Sequence, residues 1–341
     1  MKILYAIQGT GNGHASRALE IVPYLQKRAE VDILVSGYQS ELTFPFEIKY
    51  KLYGLSFIFG KKGGVDIWET LKKTKFRNLW KEVKNLPVLE YDLVINDFEP
   101  VSAWACKLRN APIISLSHQN AVADENAPKY GKFKIEKLLL KYYAPAKNKF
   151  GFHFKTYSSA TFSPIIRREI RYKNSTRKGH YTVYLPAYGD KKLIKILSQF
   201  KKVKWEVFSK HTSQFQLHNN ITIRPINAKE FIKSIAASNG VLCGAGFETP
   251  AEALFLRKKL MVIPMKNQYE QQCNALALKE MGVPVLKKLN KKQLPKIEKW
   301  LKSDTIIKVN YPDVTEDILD AITVPYYNKT QLPSILEYTV N

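Results

Sequence analysis

Two segments of this chain run from a short apolar strand through a turn of small residues directly into a helix start, and few folds admit that arrangement. In the first, residues 3–7 lead into Gln8-Gly9-Thr10-Gly11-Asn12-Gly13-His14. In the second, residues 241–243 lead into Gly244-Ala245-Gly246-Phe247-Glu248-Thr249-Pro250-Ala251-Glu252. Each is the opening of a βα unit, because a parallel strand needs a crossover helix to reach its neighbour. Apolar runs at 31–35, 93–95 and 112–116 read as further buried parallel strands, and Ala18, Ile21, Val22 and Leu25 place a helix over 14–28. After a basic, turn-rich stretch at 172–179 the pattern restarts, with strands expected at 182–185, 205–208, 221–223, 241–243 and 260–263. The expectation is an α/β chain of two Rossmann-like, doubly wound domains, 1–175 and 176–320, with a tail at 321–341 packing back on the first. Ligand sites on such sheets lie at the carboxyl ends of the strands, here facing a central cleft.

Length supports two domains: 341 residues exceed the usual single core. Hydrophobic residues at 45% and charged residues at 25% exclude a disordered or fibrous chain. Lys and Arg number 54 against 30 Asp and Glu, a formal charge of +24 shared by both halves, so an anionic partner is expected. Cys106, Cys243 and Cys273 are odd in number and far apart, which suits neither a disulfide framework nor a metal site. No apolar run approaches the roughly 18 residues of a membrane span, and a signal h-region is absent before Gly9. A cytoplasmic protein is expected, at most peripheral on the inner face of the plasma membrane.

The amides of Gly11, Asn12 and Gly13 open the first helix, where a phosphate or developing negative charge is stabilised. Their spacing, G-x-G-x-G, is not the dinucleotide fingerprint, and the second strand ends in Ser36-Gly37 without the acid that would hold an NAD ribose. His14 falls in the first turn, where the positive end of the helix dipole favours the neutral imidazole that a general base requires; a merely packed histidine is the competing reading. Arg17, one turn on, would serve an anion or be solvated. In the second unit, Thr249 as N-cap, Pro250 at the first helical position and Glu252 at the third form a capping box, a fully structural account of Glu252. The functional account gives that carboxylate to two vicinal ribose hydroxyls. Gln271 and Gln272 follow the next strand at a helix start and suit sugar hydroxyls, which also donate and accept.

The order G-A-G, T-x-x-E, a strand ending in Pro264, Q-Q-x-N-A and then Gly282 resembles the donor half of the GT-B glycosyltransferases, in particular the superfamily of the peptidoglycan GlcNAc transferase acting on undecaprenyl-linked muramyl peptide. The resemblance is concentrated in 238–283 and supported by the N-terminal G-T-G-N-G-H. It implies a glycosyltransferase that uses a nucleotide sugar, UDP-linked, as co-substrate and no separate cofactor. Glu252 would bind the ribose, Gln271 and Gln272 the sugar, and Gly244, Ala245, Gly246 and Phe247 the diphosphate. His14 would lie at the reacting centre, with inversion by direct displacement. One departure is Leu185-Pro186-Ala187-Tyr188-Gly189-Asp190, where such enzymes often carry a glycine-rich turn.

Asp97 follows the strand at 93–95 and would act as a base or orient His14, although a carboxylate at a helix start also stabilises the dipole. His118, with Ser117, Gln119 and Asn120, is a second candidate for acceptor binding or proton transfer. Neither D-x-D nor H-E-x-x-H nor a cysteine pair occurs, so a metal-independent reaction is expected. Residues 129–155 interleave eight Lys with seven aromatics and the single acid Glu136, which reads as a basic surface able to meet an anionic bilayer and a lipid-linked acceptor; a glycan or small molecule is the other acceptor class. A UDP-sugar epimerase of the same fold and a basic membrane- or nucleic-acid-binding protein are the rival readings, although no RNP, KH or zinc-finger pattern occurs and no specific nucleic acid is expected.

Overall fold

The computed structural model describes residues 1–10, 12–37, 44–55, 76–131, 138 and 140–326. The first sheet comprises β1 (Lys2–Gln8), β2 (Glu30–Ser36), β3 (Tyr50–Leu52), β4 (Leu93–Asp97), β5 (Ile113–Leu116), β6 (Asn148–Phe152) and β7 (Thr161–Phe162). They lie in the order β3-β2-β1-β4-β5-β6-β7, and every pairing is parallel. Helices α1 (Asn12–Gln26), α2 (Phe76–Asn85), α3 (Pro100–Arg109), α4 (His118–Ala123) and α5 (Arg168–Arg171) accompany it. β1 is almost wholly buried because both faces are covered. Ile3, Tyr5 and Ile7 pack in one cluster with Ala18, Ile21, Val22 and Leu25 of α1, while Leu4 and Ala6 pack in another with Val83, Val101 and Ala105. Strands covered on both faces read as continuous apolar runs, which is why these were visible in the sequence.

The second sheet has six strands: β8 (His180–Tyr184), β9 (Lys204–Ser209), β10 (Gln216–His218), β11 (Ile221–Pro225), β12 (Gly240–Gly244) and β13 (Lys259–Ile263). Their order is β10-β11-β9-β8-β12-β13, with only the β10–β11 pair antiparallel. Its helices are α6 (Asp190–Leu197), α7 (Ala228–Ala237), α8 (Glu248–Phe255), α9 (Tyr269–Glu280), α10 (Leu294–Lys302) and α11 (Thr315–Thr323). One face buries Val183, Trp205, Val207 and Ile223 against Leu193, Ile196 and Trp300; the other packs Val241, Cys243 and Val262 against Ile232, Leu254 and Leu278.

Both strand orders reverse direction once, at β1/β4 in the first sheet and at β8/β12 in the second, and such switch points open crevices beyond the strand ends. The two lobes share one apolar cluster, in which Phe152, Phe154, Ile166 and Ile170 meet Phe247 and Ala251. α11 returns to α1 of the first lobe, where Arg28 pairs with Glu316 and, at 2.9 Å, with Asp320.

Four strands, β3, β6, β7 and β10, lie beyond those expected. Within 129–155, β6 is a strand between β5 and β7 near the segment's end, and Phe152, Phe154 and Tyr143 are buried. Alternation along β6 turns Lys149 and Phe150 to different faces, so a half-buried strand imitates an amphipathic patch. Residues 132–137 and 139 of that segment lie outside those described, as does 327–341 of the tail.

Gly151 of β6 is required by sterics, because a methyl group there would come within 2.5 Å of the backbone nitrogen of Ala121 in α4. Gly151→Ala must shift α4, and urea unfolding is expected to show a loss of about 1–3 kcal/mol, the usual cost of overpacking.

Candidate active site

The first switch point holds three side chains in mutual contact. His14 lies in the first turn of α1, and its Nδ1 is 2.9 Å from Asp97 Oδ1 at the end of β4. Arg17, one turn later on the same face, spans both oxygens of that carboxylate: Nε donates to Oδ2 at 3.0 Å and Nη2 to Oδ1 at 2.9 Å. Asp97 has no exposed surface. Burial alone would raise its carboxyl, but the charge of Arg17 and the hydrogen bonds from His14 and Arg17 outweigh burial and hold it below the ordinary carboxylate range. An ionised carboxylate only accepts, so Nδ1 of His14 is the donor to Asp97. Nε2 faces Gln119 Nε2 at 3.4 Å. Asp97 is therefore in contact with both His14 and Arg17.

A backbone reversal after β4 separates two carboxylates into two tasks. Phe98 has φ 57°, a left-handed conformation costing about 1–3 kcal/mol at a non-glycine residue, and it is held there by stacking on Tyr143 at 4.7 Å. Beyond it, Glu99 accepts from the amides of Val101 and Ser102 at 2.7 and 2.6 Å and so caps α3. The helix-capping role weighed for the Asp97 neighbourhood falls to Glu99.

The second lobe approaches this group with the starts of α8 and α9. Glu248, first residue of α8, accepts from Arg17 Nη1 at 3.0 Å, and its carboxylate fills the space above Gly13, where a methyl group would come within 2.6 Å of Oε2. Glu270 in the first turn of α9 accepts from Gln119 Nε2 at 3.0 Å. The turn Gly244, Ala245, Gly246 and Phe247 runs from β12 into α8. Gln271 and Gln272 are tied to the loop after β13: Met265 N donates to Gln271 Oε1 and Gln272 Nε2 donates to Met265 O, each at 2.9 Å. Each glutamine thus keeps one further amide atom for other partners, and Gln271 lies against Gly244. Gly11 falls outside the described residues, whereas Asn12 and Gly13 begin α1.

The capping-box reading is corrected. Glu252 does not close a capping box, because α8 begins at Glu248 with Phe247 as its cap and no side-chain capping bond. Its carboxylate is engaged instead by an arginine. Only 2% of Glu252 is exposed, and Arg167 engages both oxygens, Nε to Oε1 at 2.6 Å and Nη2 to Oε2 at 2.8 Å. This two-pronged pair joins the inter-lobe connection to α8, and stripping one partner from such a buried pair costs about 3–5 kcal/mol. His118 is 2% exposed: its Nδ1 donates to Phe152 O at 2.7 Å, and its Nε2 lies 3.0 Å from Asn274 Oδ1 and 3.9 Å from Glu270 Oε1. Its ring stacks on Phe247 at 3.9 Å and 9°, so His118 links the two lobes.

Glu248, Glu270 and Arg167 were invisible as site residues in the sequence, where each is one charge among many. Two of the charges mark a helix start, but nothing local shows what lies across the cleft. Among the described residues, no group of three His, Cys, Asp or Glu is placed to hold a metal ion, and no helix is long and apolar enough to cross a membrane. Cys106, Cys243 and Cys273 are buried and free.

The chain matches the family described as Glycosyl transferase family 1 over residues 1–303. An uncharacterised glycosyltransferase of Methanosarcina mazei is 24% identical over 335 residues, covering 83% of this chain and 84% of that protein. Among solved structures, MurG of Acinetobacter baumannii superimposes with a TM-score of 0.59 at 14% identity, covering 95% of this chain and 99% of MurG. The spinosyn rhamnosyltransferase SpnG in complex with thymidine diphosphate gives 0.54 at 11% identity, with 96% of each chain covered. These similarities agree with the two parallel-sheet lobes and the strand–turn–helix units at their switch points, and the chain belongs to glycosyl transferase family 1 as a glycosyltransferase of the GT-B fold.

Proposed function

We propose that the enzyme transfers a sugar from a UDP-sugar to an acceptor hydroxyl with inversion, without a metal ion, and with His14 as general base. The observation that carries this reading is the His14–Asp97 contact at the first switch point, opposite the helix starts of the donor lobe. The acceptor hydroxyl gives its proton to His14 Nε2 as its oxygen bonds to the anomeric carbon. The bond from that carbon to the diphosphate breaks, and the electron pair leaves with the diphosphate. The amides at the start of α8 and in the turn at Gly244 to Phe247 stabilise that charge, as preorganised donors do where charge develops. Asn12 and Gly13 offer similar amides from α1. Gln271 and Gln272 bind sugar hydroxyls with the atoms that Met265 leaves open. A nucleoside diphosphate also suits a chain of charge +24, and SpnG, a structural neighbour, was solved with thymidine diphosphate.

The acceptor is a lipid-linked sugar at an anionic membrane surface, with a free glycan or small molecule as the other class. Tyr142 and Leu138 are exposed, and Lys141 lies over the Tyr142 ring at 5.5 Å, a combination of cation and aromatic that suits lipid headgroups.

Three outcomes are expected. In thermal melts, UDP stabilises the protein in a concentration-dependent way while GDP and NAD do not; an equal response to all three would remove the donor assignment. His14→Ala lowers incorporation of label from UDP-sugars into lipid and glycan extracts by about 10²- to 10⁴-fold, the usual contribution of a general base, and near wild-type incorporation would exclude that role. Sedimentation with anionic liposomes is salt-sensitive; absence of such binding rules out the membrane surface.

A further inference from the structure

Arg17 has no part in the proton transfer just described, yet it makes more charged contacts at the site than any other side chain named there. Arg17 is 5% exposed, and its guanidinium covers both oxygens of Asp97 and extends Nη1 to Glu248 across the cleft. The fork geometry that engages a carboxylate through two parallel N–H groups is specific to arginine. A fully buried Asp97 facing only His14 would draw a proton onto the imidazole, since a lone buried anion favours a charged partner. A protonated His14 has no lone pair with which to accept the acceptor's proton.

We propose that Arg17 is a positioning residue for the transfer reaction: by pairing with Asp97 it supplies the counter-charge that His14 would otherwise supply, so that Asp97 orients the imidazole without protonating it. The inference rests on the reading of His14 as the base. Its third contact adds a coupling. Glu248 belongs to the start of α8, so the same guanidinium that balances Asp97 is held by the lobe assigned to the donor, and the alignment of the base depends on how that lobe is seated. The charged and titratable groups around His14 are Asp97 from β4, Arg17 from α1, Glu248 from α8, Glu270 from α9 through Gln119, and Tyr5 from β1. Tyr5 is fully buried, and burial together with Asp97 raises its hydroxyl well above the ordinary range, so it stays neutral and does not balance Asp97.

The test needs no acceptor. Full-length protein labelled with ¹⁵N-histidine reports the protonation of each imidazole by NMR, and His14→Ala identifies the His14 signals. In Arg17→Met the titration midpoint of His14 is expected to rise by about one unit or more, because Asp97 then has no other cation beside it. Glu248→Gln keeps both bonds to Asp97 and removes an anion, so its midpoint is expected to stay or fall. Opposite directions in the two variants would not follow from loosened packing. Arg17→Lys keeps the charge and loses the fork, giving a smaller rise; should Arg17→Met fail to fold, this variant decides. An unmoved or lowered midpoint in the folded Arg17 variant overturns the proposal. Retained incorporation of label in His14→Ala would instead overturn the base reading while leaving the titration result intact, so the two failures are distinguishable.

Discussion

A carboxylate with no exposed surface must be answered by charge, and Asp97 is answered by Arg17. The rest of the candidate site is arranged around that pair. Without Arg17, the counter-charge would have to come from His14, whose imidazole would then carry the extra proton. With it, the end of β4, the first turn of α1 and the start of α8 are held together by side chains that each lie at the mouth of a parallel strand or helix. Parallel sheets place such ends in a row, and the strand-order reversal between β1 and β4 spreads them enough to leave a crevice.

The inter-lobe contacts divide into two kinds. Arg167 with Glu252, and His118 with Phe152, Phe247 and Asn274, are buried and keep few atoms for a ligand. Arg17 with Glu248, and Gln119 with Glu270, lie at the edge of the cleft, where both acids remain partly exposed. The first kind sets where the donor lobe sits. The second kind lies beside His14 and the helix starts of α8 and α9, where carboxylates from the second lobe meet cations and amides of the first.

Much of the fold was legible because burial on both faces of a parallel strand writes an uninterrupted apolar run, and because helix starts after strands need small residues. Thus the runs at 3–7, 93–95 and 241–243 were found where β1, β4 and β12 lie, and His14 and Asp97 were singled out at the ends of two of them. The strands β3, β6, β7 and β10 were missed for the converse reason. They lie toward the sheet edges and are short or half-covered, and β3, β6 and β10 each carry a Lys or Gln, so their pattern matches a solvated surface as well as a strand.

The sequence by itself determined the α/β class, the two lobes, the turns that face each other and the candidate base, since each depends on local periodicity or on a residue's place in its own helix. Only the tertiary structure decided what each charged side chain does. Glu252 fits a capping box by spacing but turns to Arg167, which lies 85 positions away in the chain. His118 looks like a cleft residue but stacks on Phe247, and Arg17 looks like a solvated surface cation but balances Asp97. The physical reason is that electrostatic partners are chosen by distance in space and by the absence of water, and neither quantity is written in the spacing of residues along the chain.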